Sequence, residues 1–183
     1  LFRSHLLECA KKCVGRVHAT NVTDFQSAVM RATSLATCKM LKDIGLEPVI
    51  QMTGRDRNRI AIEGEMLSAG VFGIDNLLAL TGDHTCVGDH PQAKGVFDLD
   101  SVSILSTATQ LNSGVDSVGL ELQGKTNFYL GASVTPEYAP IEVQLLKMQK
   151  KINAGARFFR SEERRVGKEC NAWCCSGGGG WEL

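Results

Sequence analysis

The chain has 183 residues, enough for one domain with a sizeable core. Its 20 Lys and Arg balance 20 Asp and Glu, so net charge points to neither a nucleic-acid groove nor an anionic membrane surface. No apolar run approaches the roughly 18–20 residues that cross a bilayer. The start, Leu1-Phe-Arg-Ser-His5, has neither an initiator Met nor a signal pattern and reads as interior to a longer protein.

In chain order, residues 14–22 read as a strand ending in Asn21-Val-Thr-Asp24. Residues 25–44 carry Val29, Ala32, Ala36, Met40 and Ile44 at helical spacing, with Gly45 as a stop. Residues 49–53 form the next strand. Asp56 then caps a helix with Ile60, Glu63, Leu67 and Val71 on successive turns, closed by Gly73. A strand at 77–81 leads into a polar loop over 82–97. Asp98 or Asp100 caps a helix through Val102, Leu105 and Thr109 that stops near Gly114. Alternation of Val118, Leu120 and Leu122 makes 115–125 a small hairpin or extended insertion. A strand at 127–134 follows. Pro140 opens a helix with Ile141, Leu145, Met148 and Ile152 inward and Gly155 at its end, and 156–159 begins one more strand.

The strand ends near Asn21, Thr53 and Thr81 lie about 30 residues apart, the length of a βα unit. Equal spacing with a polar cluster after each strand favours a barrel of βα units over an open doubly wound sheet. No G-x-G-x-x-G follows any strand, which counts against a dinucleotide-binding sheet. From about Arg160 the text loses any sustained period and ends in four glycines and Trp181-Glu-Leu. Residues 160–183 therefore read as a non-homologous tail, not native coding sequence, joined to a domain at 1–159. The seven cysteines, with no repeated Cys-x-x-Cys and no His at ligand spacing, read as free thiols rather than a zinc site.

Parallel α/β folds place chemistry at the carboxyl ends of their strands. Asp83 follows Leu80-Thr-Gly82, so a strand delivers a carboxylate to that edge, or else caps a turn there. Thr23 and Asp24 hold the same place after the first strand, where an N-cap is the simpler role. Gln51 points into a polar barrel mouth or is hydrogen-bonded at an edge. Arg55, Arg57 and Arg59 open a helix where the dipole disfavours cations. They are a solvated face or are held by phosphate or carboxylates such as Asp56. Lys150 and Lys151 close a helix where cations are favoured. His84 and His90 flank Cys86 but lack a fourth metal partner.

Taken together, Asn21-Val-Thr-Asp24, Gln51-Met-Thr-Gly-Arg-Asp-Arg-Asn58, Leu80-Thr-Gly-Asp-His84, Gly88-Asp-His-Pro91, Val96-Phe-Asp-Leu-Asp100 and Ala154-Gly-Ala156 resemble methylenetetrahydrofolate reductase of the short bacterial and archaeal type. The resemblance implies an α/β fold, a partial (β/α)8 TIM barrel supplying about five of eight βα units. It implies a flavin, FAD with FMN as the alternative, that passes hydride from NAD(P)H or a partner electron-donor subunit to 5,10-methylenetetrahydrofolate. Carried over by position, Asp83 is the catalytic aspartate that orients folate. Thr23, Gln51 (where many members have His), Leu80, Thr81, Gly82, Phe97, Asp98, Lys150 and Lys151 line the cofactor. Gly54 stands where close relatives carry Cys. The family's general acid would lie upstream of Leu1, and its Thr-Gln pair after Phe159 is replaced by Arg160-Ser-Glu162, so this chain alone is expected to be inactive. The resemblance further implies a cytoplasmic protein of one-carbon metabolism, without nucleic-acid or membrane partners and with homo-oligomerisation open. Two other classes compete: a non-catalytic flavin- or pterin-binding barrel module, and a pterin-dependent methyltransferase.

Overall fold

A computed structural model describes residues 2–136 and 138–161. Among them, strands β1 (Thr20–Val22), β2 (Pro48–Thr53), β3 (Asn76–Leu80), β4 (Tyr129–Val134) and β5 (Phe158–Ser161) form one sheet in sequence order, every neighbouring pair parallel. Helix α1 (Phe2–Lys11) precedes β1, and α2 (Ser34–Asp43), α3 (Arg59–Val71), α4 (Ser101–Asn112) and α5 (Ile141–Asn153) each separate consecutive strands. The sheet curls into a half-barrel, the partial (β/α)8 architecture that the strand spacing predicts.

The pleat sorts the strand residues onto two faces. Ile50 and Met52, Leu77 and Ala79, Leu130 and Ala132 pack outward against Cys38, Leu41, Ile62, Met66, Ile104 and Leu105 from the helices. Each fully buried aliphatic side chain here contributes about 1.5–3 kcal/mol. The alternate residues share the concave face. Register sets Gln51 beside Leu78, Leu78 beside Gly131, and Gly131 beside Phe158. Burial on both faces explains the largely apolar runs of β2 and β3, which Gln51 interrupts in β2.

Local chemistry sets the helix boundaries. The side chains of Thr33, Asn58 and Asp100 accept backbone N–H groups at the starts of α2, α3 and α4. Helices α2 to α5 all end in a left-handed glycine, Gly45, Gly73, Gly114 or Gly155. In each the N–H one residue further on bonds back into the last turn, for example Leu46 to the Leu41 carbonyl at 3.1 Å. After α2, α3 and α5 this stop returns the chain within a few residues to the sheet, and Leu46 and Ile74 are buried immediately after it.

Several elements differ from the sequence reading. The first strand is confined to Thr20–Val22, because residues 12–16 turn through Gly15 at φ +72°. The helix expected from residue 25 begins at Ser34. Phe25, Ser27 and Ala28 are left-handed, which no helix interior permits. Asn58, not Asp56, caps α3, and α3 buries Ile62, Met66 and Ala69, leaving Ile60 and Val71 on the surface. Of the two expected caps, Asp100 is the one that starts α4. Residues 115–125 contain a single antiparallel bridge, Val115 to Glu121. In α5 no side chain is fully buried, so Ile141, Leu145, Met148 and Ile152 do not form an inward stripe. The strand β5 runs over Phe158–Ser161 rather than 156–159. Cys9, Cys13, Cys38 and Cys86 are free thiols, and burial pushes the Cys38 thiol well up from its ordinary value. Most of the tail at 160–183 lies outside the described residues.

Candidate functional site

The carboxyl ends of β1, β2 and β3 are adjacent, and the segments leaving them are locked together by two buried ionic clusters. The first centres on Asp24, whose carboxylate is out of contact with solvent. It accepts Arg57 Nη1 at 2.7 Å and Nη2 at 3.1 Å, Thr53 N at 3.0 Å and Thr53 Oγ1 at 2.9 Å. Arg57 also pairs with Glu65 and lies over the Phe25 ring. Burial alone would lower the Arg57 guanidinium, but hydrogen bonds and charge from Asp24 hold it above its ordinary value. Burial raises the Glu65 carboxyl, against the opposing pull of Arg57. Asp24 is therefore not a helix cap. It ties the end of β1 to the end of β2.

The second cluster centres on Arg55, whose side chain is 2% exposed, where a solvated face was the simpler expectation. Its Nε and Nη2 donate to Asp56 at 2.9 and 2.8 Å. Nη2 also reaches the Phe25 carbonyl at 3.1 Å, and Nη1 the Asp83 carbonyl at 3.2 Å. The third arginine, Arg59, grips Asp98 through Nε at 3.0 Å and Nη2 at 2.8 Å, and its backbone N–H donates to the same carboxylate at 2.9 Å. All three arginines are thus held by carboxylates. Two of the partners, Asp24 and Asp98, come from loops distant in sequence.

Hydrogen bonds from Arg59 pull the Asp98 carboxyl down from 3.8 to about 2. A carboxyl held below its ordinary value stabilises the fold above that value and loses the contribution as pH falls through the folded one. Thermal melts of the wild type and Asp98→Asn should differ at neutral pH and converge as pH drops from about 4 toward about 2. A gap that persists undiminished at the acid end would show that the pair does not act through Asp98 ionisation.

The residues predicted to line a site fall as follows. Val22 faces the outer core, and Thr23, half-buried, follows directly after the end of β1. Gln51 is 5% exposed, projects on the concave face, and its amide has no hydrogen-bond partner among the described residues. Leu80 shares that face, beside Thr53. Thr81 Oγ1 accepts Ser101 N at 3.1 Å, which commits it to the start of α4. Gly82, at φ +93°, turns the chain where a Cβ would press on Arg55 and Thr53. Asp83 is exposed, and its carboxylate makes no hydrogen bond or ion pair with another described residue. Phe97 is left-handed at φ 47°, is pinned by its N–H to the Gly54 carbonyl at 3.1 Å, and stacks on His84. Asp98 turns to Arg59. Lys151 Nζ donates to the Ser133 carbonyl of β4 at 2.6 Å, while Lys150 is exposed. Thr23, Gln51, Leu80, Gly82 and Asp83 thus gather at the ends of three adjacent strands, whereas Thr81 and Asp98 are engaged within the protein.

Two features escaped the sequence. A Cβ at Gly54 would run into the Leu99 carbonyl oxygen, so the segment carrying Phe97 lies directly on β2. A cavity of 270 Å³ opens between the segments after β1 and β3, lined by Phe25, Met30, Arg55, Asp56, Asp89 and His90 among others. Asp89 fastens its rim by accepting Met30 N at 3.1 Å.

The strand ends offer an amide with no partner among the described residues, an exposed stacked aromatic and an unpaired carboxylate. A flat heterocycle with donors and acceptors along one edge fits this donor set. No helix among the described residues is long and apolar enough to cross a membrane. No curated protein matches the chain. The family model described as methylenetetrahydrofolate reductase matches residues 4–162. That match spans the half-barrel and its strand-end clusters, and the chain belongs to the methylenetetrahydrofolate reductase family.

Proposed function

We propose that this chain carries the flavin and folate site of a reductase that converts 5,10-methylenetetrahydrofolate to 5-methyltetrahydrofolate. The observation that supports it best is the pairing of Gln51 with Asp83. The Gln51 amide, without a partner among the described residues, lies on the strand next to the one that leads to Asp83, a carboxylate equally free of partners. The Gln51 amide is not among the fully buried unpaired groups, so it opens onto the concave face with its donors and acceptor free for a ligand. When bound, the flavin, FAD or FMN, supplies hydride transfer between NAD(P)H, or an electron-donor subunit, and the folate.

The chain's own residues do the binding and orienting. Thr23 and Gln51 present a hydroxyl and an amide to the edge of the ring. Leu80 and Gly82 give a flat, apolar wall, with the glycine allowing close approach to the backbone. Phe97 closes the rim, Thr81 and Asp98 hold the surrounding backbone in place, and Lys150 and Lys151 face the phosphate end. Asp83 accepts hydrogen bonds from the pterin and, as a fixed negative charge, favours positive charge developing on the folate. This reading makes the protein a cytoplasmic enzyme of one-carbon metabolism.

The test is direct. Because this chain alone is expected to be inactive, a longer protein that carries this half-barrel together with the upstream general acid the resemblance implies is titrated with FAD and with FMN while flavin fluorescence is followed. The loaded protein is then reduced anaerobically with NADH or NADPH and mixed with 5,10-methylenetetrahydrofolate. Reoxidation that depends on the folate is the expected result. Flavin binding without folate-dependent reoxidation would favour a binding module, and absence of flavin binding would defeat the proposal.

A further inference from the structure

We infer that Arg55 is the positioning residue for Asp83, clamping the segments after β1 and β3 to β2 so that the Asp83 carboxylate stands free at the rim. The inference rests on the reading of Asp83 as the folate-facing carboxylate.

Arg55 lies immediately after the β2 end, and its guanidinium is withdrawn from water. Burying a cation is costly unless it is paired and fully hydrogen-bonded. Asp56 supplies the charge through a two-pronged contact, and the remaining donor capacity goes to two main-chain carbonyls, those of Phe25 and Asp83. Those carbonyls belong to the two segments that flank β2, so one side chain fixes three strand ends. The backbone contributes as well: the Arg55 carbonyl accepts Val96 N at 2.7 Å, in the segment leading to Phe97.

The choice of atom on Asp83 is the informative point. Arg55 takes the carbonyl, not the carboxylate. Gly82, at φ +93°, turns the chain just before it, where a Cβ would come within 3.0 Å of Arg55 Cβ. The main chain of Asp83 is therefore fixed while its charge is left unneutralised. The same guanidinium holds Phe25 in its left-handed conformation at φ 46°, which a non-glycine residue keeps only when its surroundings impose it. Lysine cannot replace this arrangement, because a single ammonium lacks the planar fork that reaches a carboxylate and two carbonyls together.

Arg55→Lys tests the clamp in two ways. Amide hydrogen exchange should accelerate in residues 23–30 and 81–88 together, and acceleration in neither or only one segment would overturn the clamp. Folate-dependent reoxidation of the reduced flavoprotein should slow by about tenfold or more, with flavin affinity within about threefold of wild type. In an Asp83→Asn background the same substitution should slow the reaction by less than about twofold, since residues acting through one another do not add. An equal penalty in both backgrounds would mean that Arg55 serves the fold alone. If Arg55→Lys does not fold, Asp56→Asn, which weakens the fork while keeping the guanidinium, is read by the same criteria. Should the wild type show no folate-dependent reoxidation, the reductase reading fails by itself, and hydrogen exchange decides the clamp.

Discussion

Asp24→Ala is expected to destabilise the protein by about 3 kcal/mol, because it removes one partner of a buried ion pair together with the acceptor of two further buried hydrogen bonds. The Asp24 carboxylate is fully buried, and Arg57 is 10% exposed. The substitution leaves Arg57 with Glu65 as its remaining carboxylate partner and deprives Thr53 N and Oγ1 of the acceptor they share. A loss of that size is a large fraction of the roughly 5–15 kcal/mol by which domains are stable. Urea unfolding should show a clear fall in midpoint with little change in slope. Replacing the whole network, as Asp24→Leu with Arg57→Met and Glu65→Gln, should recover a substantial part of the loss, since well-packed substitutes for a buried ionic cluster are often neutral or better. An unchanged midpoint in Asp24→Ala would show that the network contributes nothing to stability.

Those elements were legible whose pattern is set locally. β2 and β3 are largely apolar, and the glycine stops after α2 to α5 mark where each helix ends. Where two patterns compete, the sequence underdetermines the answer. In α3, Ile60, Leu67 and Val71 recur at helical spacing as convincingly as Ile62, Met66 and Ala69. Only the direction in which the short Arg55–Asn58 connection delivers the helix decides that the second set meets the sheet. Residues 25–33 look helical by apolar spacing, yet the close approach of the two neighbouring segments, with Gly88 against the Ala28 carbonyl, imposes left-handed residues that end any helix.

The candidate site was legible in its parts but not in its wiring. The odd placement of Arg55, Arg57 and Arg59 before a helix was visible, and carboxylates were among the candidate partners. Which carboxylates was not visible, because Asp24 lies 33 residues from Arg57 and Asp98 lies 39 from Arg59. Only Arg55 finds its carboxylate next door, in Asp56, and it does so in order to be buried rather than solvated. Asp98 shows the same limit from the other side. Its place after Phe97 resembles a cofactor contact, while its carboxylate is spent on Arg59 and on the backbone at the start of α3.

Asp83→Asn should leave the fold and flavin binding nearly untouched while slowing folate reduction by about a hundredfold or more, in the range lost when a positioned acid or base is removed. The structure separates the two effects unusually well. The side chain is exposed and bonded to no described residue, and what holds the segment is the Asp83 carbonyl on Arg55, which asparagine keeps. Exposed substitutions of this kind change stability by less than about 0.5 kcal/mol. The carboxylate, however, accepts hydrogen bonds with both oxygens and carries a full charge, whereas the amide is neutral and presents a donor on one side. A pterin that donates to both oxygens would meet one mismatched group, and the electrostatic support for the reacting centre would vanish. Rapid mixing of the reduced, flavin-loaded variant with 5,10-methylenetetrahydrofolate measures the reoxidation rate, and fluorescence titration measures flavin affinity. Slow reoxidation with intact flavin binding is the expected pair of results. An unaltered rate would remove Asp83 from the chemistry, and loss of the flavin itself would make the residue part of cofactor binding instead.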